Sequence, residues 1–140
     1  MIRTFALIFG ILYLLVGILG FIPGLTTEPP PSDMHSAGEH GFRYLLGLFP
    51  VNTLHNIVHL LIGGAGILSS RSVGGARLYA QVLAVVYGLL AIMGLIPGAN
   101  TTFGLIPIYG HDVWLHALSA AIAAYFGFIA RDTGEPTVAA

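Results

Sequence analysis

The stretch VNTLHNIVHL carries His55 and His59 four residues apart, and HDVWLHA carries Asp112 and His116 at the same spacing. Four residues advance an α-helix by about 400°, so each pair lies on one helix face. Three imidazoles and one carboxylate form a donor set suited to zinc, iron, copper or manganese, and a helix-borne i,i+4 pair is a common ligand spacing. His59 and His116 alone suit another group: as axial ligands on two helices they would hold haem or a related tetrapyrrole. The bland alternative is a polar knot, in which these side chains and Asn56 hydrogen-bond the helices together. Interhelical bonds of that kind average about 0.6 kcal/mol in membranes.

The elements that must position these residues are apolar. The chain has 140 residues, of which 56% are hydrophobic and 8% charged, and its mean hydropathy is +0.87. A soluble domain carries about 25% charged residues, so the composition points to an integral membrane protein in a lipid bilayer. Four stretches, near 3–22, 51–70, 77–96 and 111–130, approach the roughly 20 helical residues needed to cross a hydrocarbon core. Pro23 and Pro97 close the first and third, and Pro50 and Pro107 precede the second and fourth. Asn52 or Thr53 caps the second helix, and Gly110 or Asp112 the fourth. The loop GLTTEPPPSDMHSAGEHGFR reads as irregular, because it is Pro-rich and lacks apolar periodicity.

The absence of cysteine excludes disulfides, iron–sulfur clusters and thiolate metal sites. All five cations are arginine, the net charge is −1, and there is no basic run, which argues against a nucleic-acid partner. Arg3, Arg71, Arg77 and Arg131 flank the helices on one side, so the positive-inside rule places both termini in the cytoplasm of a multi-pass cell-membrane protein. Arg43 is the exception, on the outer side beside Glu39. Residues 1–22 resemble a signal peptide in apolarity, but no small-residue cleavage site follows, and the segment is expected to be retained. Single cysteines at Ser36 and Ser72 should therefore label from opposite sides with an impermeant thiol reagent. Labelling of both from one side would overturn this topology.

The chain also repeats itself. RTFALIFGILYLLVGILGFIPG matches RLYAQVLAVVYGLLAIMGLIPG at an offset of 74, pairing Arg3 with Arg77, Tyr13 with Tyr87 and Gly20 with Gly94. GLFPVNTLHNIVHL matches GLIPIYGHDVWLHA at an offset of 57, pairing Pro50 with Pro107, His55 with Asp112 and His59 with His116. The expected fold is all-α: a single domain over 1–140, built from two tandem two-helix repeats at 3–70 and 77–130. Each repeat has an even number of spans, so the pseudo-two-fold axis runs along the membrane normal. That symmetry would turn His55 and His59 toward Asp112 and His116 in the outer half of the bundle. Tyr13 and Tyr87, at a similar depth, are expected beside the histidines with Asn56 and His111 as supporting groups.

The blocks GLFPVNTLHNIVH at 47–59 and GLIPI…HDVWLH at 104–116 resemble a bacterial family of small four-helix membrane proteins classed as a domain of unknown function. The resemblance implies a four-helix fold in a bacterial membrane and carries over no activity. The remaining features read mostly as packing. Gly63, Gly64 and Gly66 allow close helix approach, as do Ala120, Ala121, Ala123 and Ala124. Trp114, Tyr109, Phe49 and Tyr44 suit an outer aromatic belt, with Trp114 also a candidate for lining the site. Gln81 is expected to bond within the bundle. Met34, His35, Glu39 and His40 form either a solvated loop or an outer metal-capture segment. There is no phosphate-binding glycine loop, nucleophile elbow or H-E-x-x-H motif. Binding of a metal or cofactor is the favoured function, and no reaction follows from the residues. The alternatives are a subunit that packs against its own copies or a larger membrane complex, and a small-solute transporter.

Overall fold

The computed structural model describes residues 1–30 and 41–131. Four α-helices dominate them: α1 (Ile2–Leu19), α2 (Thr53–Ser69), α3 (Val73–Gly94) and α4 (His111–Ala124). A π-turn, Tyr125–Ile129, prolongs α4 to 19 residues. With α1 at 18 residues and α3 at 22, three helices are long and apolar enough to cross a membrane. Residues α1 and α2 form one close hairpin, and α3 and α4 another.

The bundle exposes apolar side chains and buries polar ones within its core. Leu61, Leu78, Val85 and Leu118 are exposed, whereas His55, Asn56, His59, Asp112 and His116 are buried. Water would not stabilise that inversion, since an exposed apolar belt of this extent calls for lipid. Near Ile2 and the α2–α3 turn the core is aromatic and small-residue packing, with Phe5, Ala6, Ala76, Ala80 and Leu83 around Tyr79.

The α1–α2 hairpin is held at backbone contact. A Cβ on Gly63 would lie 2.5 Å from the Leu14 nitrogen, one on Gly10 2.6 Å from the Ile67 nitrogen, and one on Gly66 2.7 Å from the Gly10 Cα. Arginines close the far ends. Arg3 Nε donates to the Ser70 carbonyl (2.8 Å) at the end of α2, and Arg77 Nη1 to the Ala130 carbonyl (3.3 Å) beyond α4. The last carbonyls of a helix lack partners, so cations suit them. Gln81 does bond within the bundle: its Nε2 donates to the Gly127 carbonyl in the π-turn (3.1 Å).

The four helices match the all-α expectation, and at the end of the bundle that holds the α1–α2 connection a small sheet stands where an irregular loop was expected. Strands β1 (Thr26–Thr27), β2 (Arg43–Leu45) and β3 (Phe49–Val51) form an antiparallel sheet in the order β1-β2-β3. Leu45 pairs with both Thr26 and Phe49. The β2–β3 turn needs left-handed backbone, which Gly47 supplies at φ 70°. Arg43 ties the sheet together through Nε to Thr26 Oγ1 (2.8 Å) and Nη2 to the Thr26 carbonyl (3.1 Å), and it pairs with Glu28. Met34, His35, Glu39 and His40 lie outside the described residues.

The sheet takes Val51, which was expected to open the second helix. That helix begins at Thr53, because Asn52 is its N-cap and Phe49–Val51 are extended. Asn52 Oδ1 accepts from the His55 backbone N–H (2.8 Å), and its Nδ2 donates to the Leu105 carbonyl in the α3–α4 loop (2.7 Å). Asn52→Ala should therefore cost about 0.5–2 kcal/mol for the cap alone. Thermal unfolding in detergent checks this; an unchanged midpoint would contradict the cap. The third helix starts earlier than expected, at Val73, where Ser72 Oγ accepts from the Gly75 N–H (3.0 Å). At α4 the cap position is Gly110. Asp112 does not cap; its side chain turns into the bundle and is 2% exposed.

Candidate metal centre

The second helix carries His55 and the fourth carries Asp112 and His116, and the three side chains meet near the sheet end of the bundle. Asp112 Oδ2 lies 3.9 Å from His55 Nε2 and 3.9 Å from His116 Nε2. The three potential ligand atoms all lie within 4.8 Å of one another, and all three residues are buried. These separations are too long for direct hydrogen bonds. Two ligands on one ion at 2.0–2.2 Å stand roughly 3.3–3.5 Å apart, a few tenths of an ångström closer than found here. Asp112 Oδ2 has no hydrogen-bond partner among the described residues. A buried carboxylate oxygen in that state is costly unless a cation, proton or water meets it.

The ring of His55 is oriented from behind. Its Nδ1 stands 3.2 Å from the Pro50 carbonyl, which can only accept. Donation there puts the proton on Nδ1 and leaves the Nε2 lone pair facing Asp112, the tautomer a metal ligand requires. Pro50 is itself buried in β3, so the sheet supplies part of the site.

His59 is buried but stands one turn deeper than His55, with ring centroids 4.4 Å apart, and is outside the trio. Its ring packs on Tyr13 (5.6 Å), Tyr13 on Tyr87 (5.2 Å), and Tyr87 edge-on to His116 (4.9 Å). One ring from each of the four helices thus joins a continuous aromatic chain that ends on His116 of the trio. Asn56 faces away from it. The Asn56 carboxamide presses on Gly20, where a Cβ would lie 2.1 Å from Oδ1, and borders an outer cavity of about 500 Å³ beneath the sheet. His111 is exposed at the start of α4, 6.5 Å from the Phe49 ring. Trp114 is 71% exposed and points outward, away from the site.

His55, His59 and His116 also border a cavity of about 70 Å³. That holds about two waters or one small molecule, whereas cofactor pockets run to several hundred Å³. Two contributions to this region had no sequence signal: the Pro50 carbonyl, and the α3–α4 loop that brings Thr102, Ile106 and Ile108 over the cavity. The buried Ser119, one turn beyond His116, was also unforeseen; its spacing was the available sign.

Neither the curated proteins nor the solved structures contain a match to this chain. A family model matches residues 3–129, and the chain belongs to that family, described as a domain of unknown function (DUF4383).

Proposed function

We propose that this protein is a four-span integral membrane protein that holds a divalent transition-metal ion through His55, Asp112 and His116. The observation that carries the reading is the convergence of two imidazole nitrogens on one unpartnered carboxylate oxygen. Two histidines and one carboxylate are a donor set for iron and also suit zinc, copper or manganese. Three protein ligands leave coordination positions open, as at sites that bind an exchangeable ligand. The small adjoining cavity favours an ion over a tetrapyrrole. His59, Tyr13 and Tyr87 are supporting groups in this reading.

The fourth span is α2. Its 17 residues cover about 25 Å, and the extended Phe49–Val51 continues it outward. The arginines support a topology with both termini and the α2–α3 turn in the cytoplasm. A tandem duplication is part of the proposal. Supporting it, Gly20 meets Asn56 and Gly94 meets Val113, two contacts related by the offsets of 74 and 57.

The test is elemental analysis of protein purified in detergent without chelator. One ion per chain, removed by dialysis against chelator and restored by adding the metal back, is the expected result. Chains that neither carry nor take up zinc, iron, copper or manganese would reject the reading. A second reading would then stand, favoured by the His59–Tyr13–Tyr87–His116 ring chain: the cluster packs the helices of a structural subunit that joins its own copies or a larger membrane complex.

A further inference from the structure

The cavity of about 70 Å³ is walled by Val58 and Ile62 of α2, Val86 and Leu90 of α3, and Ile106 and Ile108 of the α3–α4 loop. Its floor is the rings of His55, His59, His116 and Tyr87. Asp112 does not border it, so it meets the trio at the two imidazoles. Val86 is 42% exposed on the lipid-facing side of the bundle, which puts the mouth at the α2–α3 seam. Thr102 completes the lining, and the aliphatic side chains offer water few partners and favour an apolar guest. The volume suits a two-atom molecule and excludes a lipid chain.

We propose that this cavity admits an apolar diatomic gas, of the class of dioxygen and nitric oxide, from the lipid phase to an open position on the ion held by His55, Asp112 and His116. The proposal rests on the metal reading above. Dissolved gas of this class partitions into hydrocarbon, and the seam lets it enter without crossing the outer sheet. His59 supplies the polar contact. It borders the cavity, it is not one of the trio, and its Nδ1 is buried with no hydrogen-bond partner among the described residues. A gas molecule bound to the ion would meet the His59 ring inside the cavity.

The experiment loads the detergent-solubilised full chain with ferrous iron under anaerobic conditions and adds nitric oxide. Iron stoichiometry and the half-integer-spin EPR signal of a ferrous nitrosyl are read separately. Wild-type protein is expected to bind iron and form the nitrosyl. Val86→Trp and Leu90→Phe should keep the iron and take up nitric oxide several-fold more slowly. His59→Leu, loaded with excess iron to the same occupancy, should release nitric oxide about tenfold faster, the effect of losing one hydrogen bond. A dioxygen arm, read by Mössbauer spectroscopy, separates the two gases: a spectral change that the cavity-filling variants slow assigns dioxygen, and ferrous iron that is unchanged, or that changes equally fast in those variants, assigns nitric oxide. Bound iron with no nitrosyl in the wild type would overturn this inference and leave the metal reading standing. Absence of bound iron, zinc, copper and manganese would remove both, and the stoichiometry tells the cases apart. Wild-type uptake rates in both cavity-filling variants, each with iron bound, would overturn the lateral route. If the tryptophan variant does not fold, Leu90→Phe and the wild-type arm still decide.

Discussion

His116→Ala, His55→Ala and Asp112→Asn are each expected to weaken metal binding by more than about 100-fold, because outer-shell partners alone change affinity about 10–100-fold. Each change removes one of three ligand atoms that converge within 4.8 Å. Asp112→Asn is the sharpest of the three, since it keeps size and shape and removes the anionic charge that faces both imidazoles. His59→Ala should weaken binding by no more than about tenfold, as its ring only backs that of His55. His111→Ala, His35→Ala and His40→Ala should leave it unchanged. Titration of each variant with zinc or ferrous iron, followed calorimetrically, provides the measurement. Equal losses in His59→Ala and His116→Ala would put His59 on the ion and refute the three-ligand arrangement. In a purely structural cluster, no variant would change metal content, and each would lose only about 0.6–2 kcal/mol of stability.

Gly63→Ala is expected to destabilise the bundle by about 1–3 kcal/mol or more, whereas Gly64→Ala, one residue on, is expected to be neutral or to stabilise by up to about 1 kcal/mol. The Gly63 Cβ would press on the Leu14 backbone at 2.5 Å, and backbone cannot rotate away as a side chain can. The Gly64 Cβ would meet nothing within 4 Å, so the substitution only improves helix propensity. Gly10→Ala and Gly66→Ala should behave like Gly63→Ala, since they lie on the same seam. Reversible unfolding in mixed micelles gives the comparison. Matching effects at 63 and 64 would mean that α1 and α2 do not meet along this face. Separating α1 from α2 would also move His59 away from Tyr13, so Gly63→Ala is expected to weaken metal binding as a secondary effect.

Much of the frame was legible in the amino acids. Apolar runs bounded by Pro23, Pro50, Pro97 and Pro107 mark four helices, because helix formation and membrane crossing depend on local length and hydropathy. The i,i+4 spacing put His55 with His59 and Asp112 with His116, and all four side chains are buried. Spacing along one helix sets the angle of a side chain about that helix's own axis. It does not set how far that side chain lies from a residue on another helix. That distance depends on where α2 and α4 approach each other, which follows from backbone contacts such as Gly10 with Gly66 and from the sheet that delays α2 until Thr53. The tertiary structure therefore decided that His55, and not His59, faces Asp112, that Asn56 turns to Gly20, and that the Pro50 carbonyl orients the His55 ring. Strands of two or three residues show too few alternations to register as a period-of-two pattern, and their pairing joins Thr26 to Leu45 across a long stretch of chain. The residues by themselves determined which donors are present and which helices carry them. Only the packing of one helix on another decided which of those donors share a single point in space.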